Sequence, residues 1–193
     1  MESDTKEWLF NLNCLYNHVF NALNSHIQLY KFSDVLGEEM VSDIDTVFIT
    51  YILVNTNSLI DEWHTSDSKA IQIKKVCKPV FEYINKKWPD IKKLRNNVLA
   101  HNHRDREKRS VHFTNNWLRY KVPLGNVEVE LLVYLLGLII EAANKVYKFD
   151  YNETAYSLDN YELNYIPMSV VESTQIKDDI RNKMNDILKS SSK

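Results

Sequence analysis

Glycine and proline are scarce in this chain: 3 glycines and 4 prolines in 193 residues. All-β and loop-rich proteins need both at their turns, so those classes are excluded. Cysteine is nearly absent as well. Cys14 and Cys77 stand alone in apolar helical patterns. That excludes a disulfide framework and the paired-cysteine zinc and redox motifs, and both are expected as buried free thiols in a reducing compartment. No long apolar run exists either. The most apolar stretch, residues 131–140, is ten residues long, and a membrane-crossing helix needs roughly 20. The opening Met1-Glu2-Ser3-Asp4 is acidic, unlike a signal or transit peptide. A cytoplasmic protein with no membrane segment is expected. Glycine-rich phosphate loops and serine-nucleophile motifs are missing too.

What is present begins with charge. The net formal charge is only −2, but it is unevenly spread. Residues 74–109 hold 12 Lys and Arg against 4 Asp and Glu, while the remainder holds 12 against 22. A basic block inside an acidic chain points to a local anionic partner such as a nucleic-acid backbone. The plainer reading is two solvated helix faces.

Apolar spacing of three and four residues then predicts an all-α fold. Trp8, Leu12, Val19, Leu23 and Ile27 mark a long first helix from about Asp4 to Tyr30. Gly37 marks a turn, and a second helix follows from near Ser42 to His64. A third runs from about Ser68 to Lys87, with Pro79 inside it as an expected kink. Pro89 suits the first turn of a fourth, short helix. Residues 102–125 break the pattern, with a weak hairpin signal over 111–122. Asn126 is placed to cap a further helix to about Lys148, apolar around much of its circumference and so central or at a subunit interface. Ile176, Ile180, Met184 and Ile187 predict a terminal helix. The expected architecture is a bundle of four main helices plus the short helix over residues 1–149. Residues 150–193 form an extension whose helix packs on the same domain.

The short helix carries the most informative segment, Leu94-Arg95-Asn96-Asn97-Val98-Leu99-Ala100-His101-Asn102. With Ile91 at zero and about 100° per residue, Leu94 lies near −60°, Val98 near −20°, Arg95 near +40° and His101 near −80°. Arg95 therefore falls within the apolar sector and His101 at its edge. An arginine there is costly unless it meets an anion or several acceptors. Arginine spreads positive charge over phosphate, and histidine moves protons near neutral pH. The structural alternative is equally concrete: Arg95 pairs with Asp61 or Glu62, and His101 is a helix C-terminal residue favoured by the macrodipole. Asp61, Glu62 and His64 form a polar cluster at a helix end that either caps it or lines the same cleft as Arg95.

This segment resembles the signature of the HEPN superfamily (higher eukaryotes and prokaryotes nucleotide-binding): an arginine, four to six residues, then a histidine, often with a polar residue after the arginine. Here five residues intervene and Asn96 holds the polar position. The resemblance covers about residues 4–148 and implies a helical bundle that often forms a homodimer with facing motifs. Active members are metal-independent endoribonucleases, many serving as toxins held by antitoxin proteins or in antiphage defence. Other members have lost catalysis and act as protein- or nucleotide-binding modules. Toxins paired with nucleotidyltransferase antitoxins often carry a tyrosine two positions after the histidine. That position is His103 here, so control through such a tyrosine is not implied.

The resemblance implies Arg95, Asn96 and His101 as catalytic residues acting on RNA without metal or cofactor. His101 would serve as base or acid, its counterpart in a second copy could supply the other proton step, and Arg95 would stabilise phosphoryl charge. Asn96 or Asn97 would orient the imidazole or hold a phosphate oxygen, with Asp61 and Glu62 as possible supports. Lys92, Lys93, Arg104 and Arg106 are candidates for the RNA backbone. A zinc site of His101, His103 and His112 is the weaker rival, since no acid or cysteine sits at a telling spacing.

Overall fold

Two helices of 28 residues each, α1 (Ser3–Tyr30) and α3 (Glu38–Thr65), form the frame of the computed structural model of this chain. The structure describes residues 3–65, 70–97, 119–152, 171 and 175–176. Among these, every regular element is helical. The single turn α2 (Ser33–Leu36) joins the two long helices, and α4 (Ile71–Lys87), α5 (Ile91–Asn97) and α6 (Asn126–Tyr147) follow. The fold is all-α. The chain divides into two compact units, 1–154 and 155–193. Phe149 is buried and Tyr151 stacks on Phe10 at 5.6 Å, so the chain just beyond residue 149 still belongs to the first unit.

α1 and α3 run antiparallel. The start of α1 meets the end of α3 where Trp8 Nε1 donates to the Glu62 carbonyl (3.1 Å), and its end meets the start of α3 at His26 and Asp45. α6 lies antiparallel to α1, with Asn13 opposite Asn144 and Tyr16 against Gly137. The end of α4 meets the start of α6 through Lys87 and Glu128 (3.1 Å). Leu9, Leu12 and Val19 of α1, Ile52, Leu53 and Leu59 of α3, Ile73 and Ile84 of α4, and Leu132, Leu136 and Ile139 of α6 are all buried. These positions recur at helical spacing, and each such side chain contributes about 1.5–3 kcal/mol on leaving water.

One polar pair interrupts this core. Asn13 and Asn144 exchange reciprocal amide hydrogen bonds (3.0 and 2.9 Å), and Asn13 also donates to the Leu9 carbonyl (2.7 Å). The buried Asn13 amide and the half-buried Asn144 amide, paired this way, fix the register of α1 on α6, because a slip of one turn would separate them.

Several boundaries differ from the sequence reading. α3 begins at Glu38, four residues before Ser42, because Gly37 takes a left-handed φ of 77° and Glu38 and Glu39 complement the helix N-terminus. α6 is capped from Gly125 without a side-chain bond, and Asn126 is its first residue. Glu128 reaches back to the Leu124 N–H instead (3.3 Å). Lys87 holds the Glu128 carboxyl below the usual carboxylate range. At the other end Lys148 is left-handed, and its N–H satisfies the Asn144 and Lys145 carbonyls. α4 continues through Pro79, which lies on an exposed face where the freed carbonyl can meet water. α5 starts at Ile91, so Pro89 precedes its first turn. Cys77 is buried and its thiol is pushed up to about 11 by burial, whereas Cys14 is only half-buried. The hairpin signal up to residue 118 and the terminal helix beyond residue 176 lie outside the described residues. No described helix is long and apolar enough to cross a membrane.

Candidate functional site

The described half of the Arg-to-His segment sits on α5, seven residues long and too short to persist alone. Three attachments hold it. Ile91 and Leu94 are buried in the core. The Leu94 N–H donates to the Asp90 carbonyl (2.8 Å). An aspartate before a helix usually accepts from that helix's own first amides. The Asp90 carboxylate instead accepts from the Lys121 N–H (2.9 Å), while its N–H donates to the Lys121 carbonyl (3.3 Å). The returning chain is thereby clasped to the base of α5.

Arg95 follows Leu94 and is half-buried, while Lys92 and Lys93 are exposed. Its Nη1 donates to the neighbouring Asn96 Oδ1 (2.9 Å). That bond uses one of five guanidinium donors. Among the described residues Arg95 has no carboxylate partner, and both expected acids are engaged elsewhere. Asp61 accepts from Lys92 (3.1 Å) and from Asn57 Nδ2 (2.7 Å). Glu62 faces α1, accepting from Asn11 Nδ2 at 3.2 Å. Lys93 lies 6.0 Å from the Tyr120 ring centroid, at the outer limit of a cation–π contact.

The structure thus brings Asp61 to α5 through Lys92 and leaves Glu62 out. Asn57, Asp61, His64, Asn85, Trp88 and Lys92 line part of a cleft of about 170 Å³ between the ends of α3 and α4 and the start of α5. Asn57, Asn85 and Trp88 have no place in the sequence reading. Asn57 stands four residues before Asp61 in an otherwise apolar pattern, which is the one signal that could have drawn it in. His101, Arg104, Arg106 and the Asn97 side chain lie outside the described residues, as do His103 and His112 of the rival zinc set. Among the described residues no group of His, Cys, Asp and Glu is arranged to hold a metal.

A second polar cluster, also unforeseen, occupies the far end of the α1–α3 pair. Buried His26 bonds Asp45 Oδ1 through Nε2 (2.5 Å), and Tyr30 Oη donates to Asp45 Oδ2 (2.8 Å). Asp45 pushes the Tyr30 phenol above its ordinary value, with Asn126 opposing. The cluster ties α1 to α3 where the apolar packing thins out.

Chemically, α5 offers a guanidinium pinned at one nitrogen and two ammonium groups. A guanidinium is the side-chain group suited in shape and charge to a phosphodiester. Comparisons with protein-family models, curated proteins and solved structures return no match to this chain.

Proposed function

We propose that this chain is a metal-independent endoribonuclease of the HEPN type. The observation that carries the reading is Arg95, half-buried on a helix anchored by Ile91 and Leu94 and oriented by Asn96 at 2.9 Å. The basic block around it and the histidine six residues later support it. RNA brings its own nucleophile, the 2′-hydroxyl. His101 takes its proton, the 2′-oxygen attacks phosphorus, and the bond to the 5′-oxygen breaks. Arg95 offsets charge on the nonbridging oxygens, and the leaving 5′-oxygen takes a proton from solvent water, the proton on His101 returning to solvent. The products are a 2′,3′-cyclic phosphate and a 5′-hydroxyl. Lys92, Lys93, Arg104 and Arg106 draw in the RNA backbone in a salt-dependent, sequence-blind manner. A role as a toxin or antiphage-defence component, restrained by an antitoxin protein, follows from the same resemblance.

The test is cleavage of a structured RNA in EDTA by the natural chain and by His101→Ala of equal helicity. Loss of cleavage in the variant, with a cyclic-phosphate product from the natural chain, supports the reading. Absence of cleavage by the natural chain across several RNAs replaces it with a binding module built on the same bundle. Equal cleavage by both removes His101 from the mechanism.

A further inference from the structure

The cleft beside α5 contains a buried amide that the catalytic reading leaves unused. Asn57 is 1% exposed, and its Nδ2 donates to Asp61 Oδ2 at 2.7 Å. Lys92 Nζ donates to Asp61 Oδ1 at 3.1 Å. Two donors on different oxygens hold the carboxylate, and each oxygen keeps a further lone pair. Among the described residues the Asn57 Oδ1 receives no donor, so α3 lines the cleft with unused acceptors. Asn85, exposed on the last turn of α4, adds an amide with no side-chain bond among the described residues. Trp88 and Pro89 line the same space with flat apolar surface.

The volume is about 170 Å³, below the roughly 300 Å³ at which drug-sized sites begin. It suits one planar ring system and not a whole nucleotide. Single-stranded RNA is read in this way, by polar side chains on the pairing edge of a splayed base. The lining selects among the four bases. A carboxylate with a lone pair left on each oxygen matches two adjacent N–H donors. Only guanine presents two side by side on its pairing edge, at N1 and N2, next to the O6 acceptor. Adenine and cytosine carry an acceptor beside their amino group, and uracil has one on both sides of its N–H. Each of these would set an acceptor against the Asp61 carboxylate, which a polar site rejects strongly. Lys92 and Arg95 are one turn apart on α5, about 5–6 Å between Cβ atoms. A base in the cleft therefore brings its own 3′-phosphate within reach of Arg95.

We propose that this cleft is a guanine pocket. Asp61 accepts from N1–H and from the N2 amino group, Asn85 donates to O6, and Asn57 acts as a positioning residue for Asp61. RNA is then cut on the 3′ side of guanosine. The choice of cut rests on the nuclease reading, whereas the pocket itself does not.

The experiment begins with binding to the full chain, read by calorimetric titration with the four nucleoside 3′-monophosphates. Guanosine 3′-monophosphate should bind about 5- to 150-fold tighter than the other three, the worth of one bidentate base contact. Asp61→Asn replaces one acceptor oxygen by a donor and should remove the preference. Asn85→Asp, at an exposed position, sets a carboxylate against O6 and should remove it as well. Equal affinity for all four nucleotides, no binding of any, or a preference that both folded variants retain overturns the pocket. Sequencing the ends of cleaved RNA then separates the two readings. Cuts after guanosine support both. Cuts spread over all four bases leave the ribonuclease standing and overturn the pocket. A preference for the guanine nucleotide without cleavage of any RNA keeps the pocket and overturns the ribonuclease.

Discussion

The aromatic end of the bundle and the short helix α5 are built on opposite plans. At the aromatic end, Trp8 meets Trp63 at 5.5 Å and Tyr147 at 6.3 Å, and Trp63 meets Phe81 at 5.1 Å. The Trp8 indole is bonded to the Glu62 carbonyl, and the amides of Asn13 and Asn144 close on each other. At α5 only Ile91 and Leu94 reach the core, and its charged groups are held by single bonds to Asn96 and Asp61. The lesson is one of division. One region satisfies its polar groups internally and gives the domain its stability. The other borrows that stability and, among the described residues, leaves the Arg95 guanidinium with a single side-chain bond.

Mutations that separate stability from activity test this contrast. Trp8→Ala removes a buried ring with two aromatic neighbours and should lower the unfolding free energy by about 3–5 kcal/mol in urea denaturation. A loss under about 1 kcal/mol would place the stability elsewhere. Arg95→Ala should do the reverse. RNA cleavage should fall by about 10²–10³, the cost of losing a charge-stabilising donor, with the urea midpoint almost unmoved. Equal loss of stability and activity would make Arg95 a structural residue. Asn13→Ala leaves the Asn144 amide without its partner and should cost about 1–3 kcal/mol, with no change in cleavage at temperatures where the variant is folded. Lys92→Ala breaks an exposed pair with Asp61 and should cost at most about 1 kcal/mol. Its effect should instead be a shallower salt dependence of RNA binding.

The sequence and the fold agree where a long apolar pattern meets few alternatives. The spacing of Trp8, Leu12, Val19 and Leu23 allows only a helix, and α1, α3, α4 and α6 follow such patterns closely. Short and irregular features were less legible. α2 is one turn, too brief for periodicity to register. Asp90 looks like an ordinary cap in the sequence, because its bond to Lys121 depends on the chain returning from 31 residues away. Asp61 and Glu62 are adjacent and look interchangeable, yet a helix rotation of about 100° sends one toward Lys92 and the other toward α1. His26 and Asp45 lie 19 residues apart on different helices, and no local pattern joins them. On α5 the angular reading puts Arg95 within the apolar sector, and the structure leaves it half-buried while Ile91 and Leu94 of that short helix reach the core.

The clasp between Asp90 and Lys121 has a consequence for how this protein can change over generations. It fixes both ends of the stretch that contains Arg95 and His101 at one point on the bundle. Closing a longer connection between fixed ends is cheap: doubling its length costs only about 0.6 kcal/mol. Insertions and deletions between the end of α5 and Lys121 therefore weigh lightly on the folding of the helices beneath. Selection can change the length of the chain there while α5 and the rest of the domain stay as they are.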